Sequence, residues 1–224
     1  QMNELRLKLL NEINIHESES ELTERDWEKI SVEPNLTENF IREFRLKVKW
    51  VKISRCQILS ENFIREFKNK VDWHRISTYQ SLSCDIIREF QNNVNWIEIS
   101  KNQKLSEEFI VEFENKVFWP HISNFQILSE NFIRKYQNRV NWFNISSTQK
   151  LSDDFLIEFN KNINWDGYFF HQEASFSIMR RYIHLTNKKS INANYKTSHF
   201  TQFQIQEINK RLNLKYLFIN KKTI

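Results

Sequence analysis

A period of 23 residues constrains this chain more than any other feature of its sequence. Every tryptophan follows the period, and a leucine followed by serine or threonine recurs in the same phase from Leu36 to Ser152. Self-similarity at a fixed spacing of roughly 20–50 residues is typical of stacked supersecondary units. The chain is therefore interpreted as a tandem array. The tryptophans are Trp27, Trp50, Trp73, Trp96, Trp119, Trp142 and Trp165.

Each repeat predicts two short helices. In the repeat that begins at Leu59, Ser60 is a suitable N-cap, and apolar residues from Phe63 to Val71 follow at helical spacing. Asp72 is the next N-cap candidate, and Trp73 opens a second helix. The pattern predicts a helix of about ten residues followed by one of about two turns.

Helices this short are marginal in isolation, so their stability has to come from stacking each pair on its neighbours. A single glycine in 224 residues also disfavours a sheet with tight turns. We therefore expect an all-α protein, an α-solenoid of about seven two-helix repeats. Residues 22–186 form the array, between a degenerate N-terminal cap (1–21) and a basic C-terminal cap or extension (187–224). The seven tryptophans are expected to be its structural core, a continuous dry seam between successive helix pairs.

The consensus "LSExFIxEFxxKVxWxxIS" is carried by "LSENFIREFKNKVDWHRIS", "LSEEFIVEFENKVFWPHIS" and "LSENFIRKYQNRVNWFNIS". It resembles tandem repeats in proteins of giant DNA viruses of the mimivirus- and marseillevirus-like groups, over roughly residues 22–186. An excess of Asn, Lys, Ile and Phe agrees with an AT-rich genome. The resemblance implies a repeat fold and a viral source, either in the virion or in the infected cell. It implies no particular activity.

Positions that vary from repeat to repeat are candidates for a recognition surface, because variable residues on a fixed frame often contact the partner of a solenoid. They follow the tryptophan and the conserved serine of the second helix. The alternative is that they are exposed and drift freely. The candidate partner-binding residues, for a viral or host protein, are His74, Arg75, Tyr79, Glu98, Asn102, His121, Phe125 and Phe143.

Two polar positions also recur once per repeat. One holds Asn69, Asn92, Asn115 and Asn138, and the other holds a glutamine from Gln57 to Gln172. Such ladders are able to read nucleotides in some RNA-binding repeats. The structural interpretation is favoured: the asparagine ends the first helix in a left-handed conformation, and the glutamine bonds the turn between repeats.

Charge separates the chain into two parts. Residues 171–224 hold ten basic and two acidic residues, whereas residues 1–170 hold 23 basic and 26 acidic residues. The basic segment predicts an alternative function in nucleic-acid binding. Its other interpretation is a soluble cap with outward lysines. The candidate residues are Arg180, Arg181, Lys188, Lys189, Lys210, Arg211 and Lys215.

No arrangement of residues points to catalysis. One glycine does not allow a phosphate-binding loop, and the six histidines lack metal-ligand spacing. We therefore expect no enzyme activity, no catalytic residue, no metal and no cofactor. Cys56 and Cys84 lie at different repeat positions, which favours a reducing, intracellular compartment. No apolar run approaches the roughly 20 residues that span a bilayer, so no membrane contact is expected.

Overall fold

A computed structural model describes residues 2–186 and 200–211 of the chain. Within these residues all regular structure is helical and no strand occurs, which confirms the predicted all-α class. The terminal helices are α1 (Met2–Glu12) and α16 (Gln202–Arg211). First helices of the repeats are α3 (Glu38–Glu43), α5 (Glu61–Glu66), α7 (Cys84–Glu89), α9 (Glu107–Glu112), α11 (Glu130–Lys135), α13 (Asp153–Glu158) and α15 (Phe176–Tyr182). Second helices are α2 (Glu24–Ile30), α4 (Trp50–Cys56), α6 (Trp73–Tyr79), α8 (Trp96–Asn102), α10 (Trp119–Phe125), α12 (Trp142–Thr148) and α14 (Trp165–His171), and a short 3-10 helix, η1 (Ile183–Leu185), follows α15.

The helix pairs stack in sequence, as predicted for an α-solenoid. The chain divides into an N-terminal unit, residues 1–117, and a C-terminal unit, residues 118–224, and the division falls within the predicted array. In the N-terminal unit α6 packs between α4 and α8. In the C-terminal unit α12 packs between α10 and α14, and α16 packs on α15 and η1. The second helices from α4 to α8 and from α10 to α14 therefore lie side by side in the order of the repeats.

The first helix of each repeat is shorter than the predicted ten residues. Helix α5 ends at Glu66, and Phe67 leaves the α-helical region with φ −107° and ψ 25°. The amides of Lys70 and Val71 both donate to the carbonyl of Phe67, at 2.8 and 3.0 Å. This turn returns Val71 to the interior, where it is 7% exposed. Because apolar spacing continues through the turn, the sequence pattern overestimates the length of the helix.

Side-chain caps begin the helices as predicted. The hydroxyl of Ser60 accepts a hydrogen bond from the Phe63 amide at 3.2 Å, and Asp72 accepts one from the Arg75 amide at 2.8 Å. Lys49 and Phe118 occupy the position of Asp72 in their own repeats and provide no side-chain cap. Other caps of the first kind are Thr37, Ser83, Ser106, Ser129, Ser152 and Ser175, and of the second kind Asn95, Asn141 and Asn164.

The tryptophans do not form the continuous dry seam that the sequence predicted. Trp27, Trp119 and Trp165 are buried, whereas Trp50, Trp73, Trp96 and Trp142 are half-buried. The innermost layer consists of phenylalanine and isoleucine, for example Phe63, Ile64 and Ile76, which are fully buried. The indole of Trp50 packs on Phe67 of the next repeat with ring centroids 4.9 Å apart. The indoles therefore cover the edge of the core.

The indole N–H explains this position at the edge. Trp73 Nε1 donates to the carbonyl of Lys68 at 3.0 Å, in the turn that precedes the second helix. A buried indole N–H needs such an acceptor, and the turn lies at the surface. Trp27 Nε1, which has no equivalent turn before it, is buried with no hydrogen-bond partner. The same bond to the carbonyl five residues earlier is formed by Trp50, Trp96, Trp142 and Trp165.

Candidate interaction surfaces

The repeated glutamines join consecutive repeats, which confirms their structural interpretation. The side chain of Gln80 accepts a hydrogen bond from the amide of Leu59 at 3.1 Å. Its amide group donates to the carbonyls of Ser54 and Gln57, at 3.0 and 2.7 Å. Since all of its polar atoms are engaged with backbone, this glutamine is not available to read a ligand. Gln103 and Gln149 form the same three bonds in their own repeats. Gln57 differs in one of them, because it donates to the carbonyl of Glu33 and not to that of the equivalent residue, Pro34.

A second connection between repeats was not predicted from the sequence. The hydroxyl of Ser54 is buried and accepts a hydrogen bond from the amide of Asp72 at 2.9 Å. In the next repeat, Ser77 accepts from the amide of Asn95 at 2.9 Å and donates to the carbonyl of Trp73 at 2.7 Å. The signal in the sequence is a serine that recurs four residues after each tryptophan from Trp27 to Trp142, although it lies on an apolar helix face. The last repeat has Phe169 at this position. Such a serine needs partners on both sides of its hydroxyl.

The recurrent asparagines do not take the left-handed conformation that was predicted for them. Among the described residues, positive φ values outside glycine occur at Asn14 and Asn35. The first helix ends instead in the turn that begins at Phe67 or its equivalents, and this turn needs no left-handed residue. The predicted positions are exposed turn residues: Asn69, Asn92, Asn115 and Asn138.

Charged side chains of the first helices pair between repeats. Arg65 Nε contacts Glu89 Oε2 of the next repeat at 2.7 Å, and the Arg42 guanidinium contacts Glu66 in the same way at 2.8 Å. The Arg42 guanidinium also lies 5.1 Å from the ring centroid of Phe63. The last glutamate of these helices is therefore paired with an arginine of the preceding repeat, and this ion pair accounts for its recurrence.

In the N-terminal unit, the predicted partner-binding residues lie on α6 and α8. Tyr79 is exposed, His74 is exposed, and Arg75 is half-buried. The guanidinium of Arg55 on α4 lies 5.5 Å from the ring centroid of Tyr79, so the ends of α4 and α6 meet on this surface. Glu98 and Asn102 on α8 bond to each other at 2.8 Å. The structure thus places these residues on second helices that pack side by side.

In the C-terminal unit, the equivalent surface is aromatic. Phe125 on α10 and Phe143 on α12 are 46% and 58% exposed. The ring of His121 meets that of Phe125 edge to face, with centroids 5.5 Å apart. Sequence reasoning did not select Phe118, at the start of α10, or Phe170 on α14, although they are 39% and 49% exposed. Helices α10 and α12 contain no Lys, Arg, Asp or Glu, a feature that is visible in the sequence.

The basic C-terminal residues form a weaker cluster than the sequence indicates. Arg180 and Arg211 both pair with Glu207, at 2.7 and 3.4 Å, so part of their charge is compensated. Arg181 and Lys210 are exposed. The remaining candidates Lys188, Lys189 and Lys215 lie outside the described residues.

The described part of the chain holds neither a candidate metal centre nor a candidate membrane span. No group of three or more His, Cys, Asp or Glu side chains is placed to hold a metal ion there. No helix of that part is long and apolar enough to cross a membrane. Cys56 is exposed, Cys84 is half-buried, and both are free thiols.

The geometry defines an α-helical repeat protein whose second helices carry the variable side chains. Comparisons with protein-family models, with curated proteins and with solved structures found no match to this chain.

Proposed function

We propose that this chain is a non-enzymatic interaction scaffold that binds a protein partner through the variable positions of its second helices. The aromatic surface of the C-terminal unit carries this proposal. Phe125, Phe143 and Phe170 each expose about half of their side chain, on three second helices that pack in order. Clustered exposed apolar groups on a rigid frame mark interaction sites more often than scattered ones do.

Contacts between α10 and α12 support a pre-organised surface. The side chain of Asn144 donates to the carbonyl of Pro120 at 2.8 Å, and Thr148 donates to the carbonyl of Ser123 at 3.3 Å. These bonds hold the two helices beside the exposed phenyl rings. A rigid aromatic surface loses little conformational entropy when it binds, which favours affinity. The proposed contacts are all eight residues that the sequence predicted. They comprise Phe125 and Phe143 together with His74, Arg75, Tyr79, Glu98, Asn102 and His121.

The resemblance to repeats of giant DNA viruses suggests where the partner is found. We propose that the scaffold is a virion component or binds a host protein in the reducing interior of the infected cell. The free thiols of Cys56 and Cys84 are compatible with that compartment.

A capture experiment from infected host cells tests the proposal. The full chain, the double variant F125S/F143S and the control variant I127S are used as bait, and bound proteins are quantified by mass spectrometry. Ile127 is 90% exposed in the same unit but lies between helices, so I127S removes apolar surface outside the proposed site. We expect a partner that the full chain and I127S retain and the double variant loses. Equal retention by all three chains would contradict the proposed surface.

A further inference from the structure

Two adjacent repeats of the N-terminal unit, residues 36–80, concentrate positive charge. They contain ten basic and five acidic residues. Glu43 pairs with Arg6, and Glu66 pairs with Arg42. Asp72 caps α6. The other two carboxylates, Glu38 and Glu61, each accept a backbone amide of the next repeat and pair with an arginine of their own helix. All five acids are therefore engaged.

Most of the basic residues in the same segment have no acidic partner. Among the described residues, Lys49 pairs with Glu24, while Arg42 and Arg65 pair with the glutamates of the first helices. The others form no ion pair with a described carboxylate, and all but the half-buried Arg75 are exposed. These free cations are Arg45, Lys47, Lys52, Lys68, Lys70 and Arg75, together with Arg55.

The fold gathers these cations onto neighbouring elements. Arg45 and Lys47 lie in the turn before α4, and Lys68 and Lys70 lie in the turn before α6, which packs on α4. Equivalent turns of consecutive repeats touch in this unit, since Lys116 Nζ bonds to Asn92 Oδ1 at 3.2 Å. The charges thus recur along one edge at the spacing of the repeat.

Aromatic rings adjoin the cations. Tyr79 is 49% exposed beside the Arg55 guanidinium, and the half-buried indoles of Trp50 and Trp73 follow directly after the basic turns. Single-stranded nucleic acids are bound by surfaces that combine backbone-tracking cations with aromatic side chains on which bases stack. An acidic protein partner would use the cations but would not need the ring.

We propose that residues 45–79 form a binding surface for single-stranded nucleic acid. Phosphates contact Arg75 and the free cations of the two turns, and a base stacks on Tyr79. This surface lies outside the aromatic surface of α10, α12 and α14 and outside the basic C-terminal segment, and it shares Arg75 and Tyr79 with the proposed protein contacts of the N-terminal unit.

Fluorescence anisotropy with a labelled oligothymidylate of about 20 nucleotides tests the proposal on the full chain. We expect binding at about 50 mM salt that weakens steeply by about 200 mM salt, because counterions are released from the phosphates. The triple variant K68Q/K70Q/R75Q should lower the affinity about tenfold or more. Y79A should lower it about fivefold or more, since stacking on one aromatic ring contributes at least that factor.

A matched variant separates this surface from the C-terminal one. R181Q/K188Q/K210Q removes the same charge from the C-terminal segment and should change the affinity less than about twofold. F125S/F143S should bind the oligonucleotide like the unmodified chain, which keeps this test independent of the aromatic surface of the C-terminal unit. Circular dichroism and thermal unfolding check that every variant is folded.

Three results would overturn the inference. The first is no binding by the full chain at low salt. The second is a loss caused by R181Q/K188Q/K210Q and not by K68Q/K70Q/R75Q, which would assign binding to the C-terminal segment. The third combines two observations: polyglutamate displaces the labelled oligothymidylate as well as unlabelled oligothymidylate does, and Y79A binds with unchanged affinity. Together they would show a general polyanion site without base stacking.

Discussion

At the scale of single residues, the structure depends on polar side chains that are buried between repeats. Gln80 is 7% exposed and satisfies the amide of Leu59 at the start of its own repeat and two carbonyls of the preceding repeat. A buried backbone group that loses its partner costs free energy of roughly 1–3 kcal/mol. This amide and these two carbonyls have no partner within a helix, so they require the glutamine side chain. An apolar residue of similar size does not replace it.

Replacement of this glutamine by alanine tests its contribution. We expect Gln80→Ala to lower the free energy of unfolding by about 3 kcal/mol, because three backbone groups lose their partner. Denaturant titration followed by circular dichroism measures the change. The exposed neighbour Ser81 provides the control, since Ser81→Ala should change stability by less than about 0.5 kcal/mol. A loss below about 1 kcal/mol for Gln80→Ala would mean that water replaces the side chain.

Glu38 gives the chain a pH dependence with a definite sign. Burial raises its pKa, but hydrogen bonds from Ser60 and the charge of Arg42 lower it by more, so that the pKa lies below its ordinary value of 4.5. A carboxylate whose pKa is lower in the folded state stabilises that state above the unfolded pKa. This stabilisation is lost as the pH falls through the folded pKa.

The variant Glu38→Gln isolates this effect. At pH 7 we expect its free energy of unfolding to lie about 0.5–1 kcal/mol below that of the unmodified chain. The difference should shrink as the pH falls below about 4.5 and vanish near pH 2, where both side chains are neutral. Denaturant titrations over this range measure it. The control Glu33→Gln, at an exposed position, should change the free energy of unfolding at pH 7 by less than about 0.5 kcal/mol. A difference for Glu38→Gln that grows in acid would contradict the predicted sign.

At the scale of elements, helices of six or seven residues depend on how they begin. All described first helices of the repeats start with a serine or threonine cap. Second helices are less uniform: α6, α8, α12 and α14 have an Asp or Asn cap, whereas α4 and α10 start at Lys49 and Phe118 without one. A missing cap leaves amides of the first turn without a side-chain acceptor.

The uncapped α10 predicts a stabilising substitution. Phe118→Asn should raise the free energy of unfolding by about 1 kcal/mol, since an asparagine at this position accepts an amide of the first turn. The converse change Asn141→Phe, at the start of α12, should lower it by a similar amount, because the Asn144 amide loses its acceptor at 3.0 Å. Thermal and denaturant unfolding measure both. Changes of the same sign in the two variants would show that packing of the phenyl ring outweighs the cap.

At the scale of the whole molecule, stability and charge are both distributed by repeats. No helix described in residues 2–186 or 200–211 exceeds eleven residues, which is too short for stability in isolation. Charge is also arranged by repeats. Ion pairs link the first helices of successive repeats, whereas the turns of residues 36–80 carry cations without an acidic partner among the described residues. The net charge of +5 for the chain therefore hides strongly different local surfaces.

A synthetic peptide of residues 59–81, one complete repeat, tests the dependence on stacking. We expect far-ultraviolet circular dichroism to show little helix in the peptide and strong helical signal in the intact chain, because the peptide lacks both neighbours that bury its apolar faces. A peptide as helical as the intact chain would contradict the stacking argument. A scrambled peptide of the same composition serves as reference.

The repeat, the all-α class and the cap positions follow from the sequence alone, because a fixed period and helix-initiating side chains act locally. The glutamine bonds were also predictable, since a polar residue that recurs in every repeat among apolar residues needs a hydrogen-bond partner. The lengths of the first helices, the asparagine conformation and the position of the indoles were not. They depend on the turn at Phe67, where backbone geometry allows apolar spacing to continue beyond the helix.

Only the tertiary structure decided which charges are free. In the sequence, Glu66 and Lys70 stand four residues apart, a spacing at which opposite charges pair on a helix, but the fold assigns Glu66 to Arg42 of the preceding repeat. Lys70 is left exposed in the turn before α6. Sequence spacing determines which helix face a residue occupies, whereas ion pairing depends on distances of a few ångströms between repeats. The local pattern thus determines the architecture, and the packing of one repeat on another determines which side chains and charges the surface exposes.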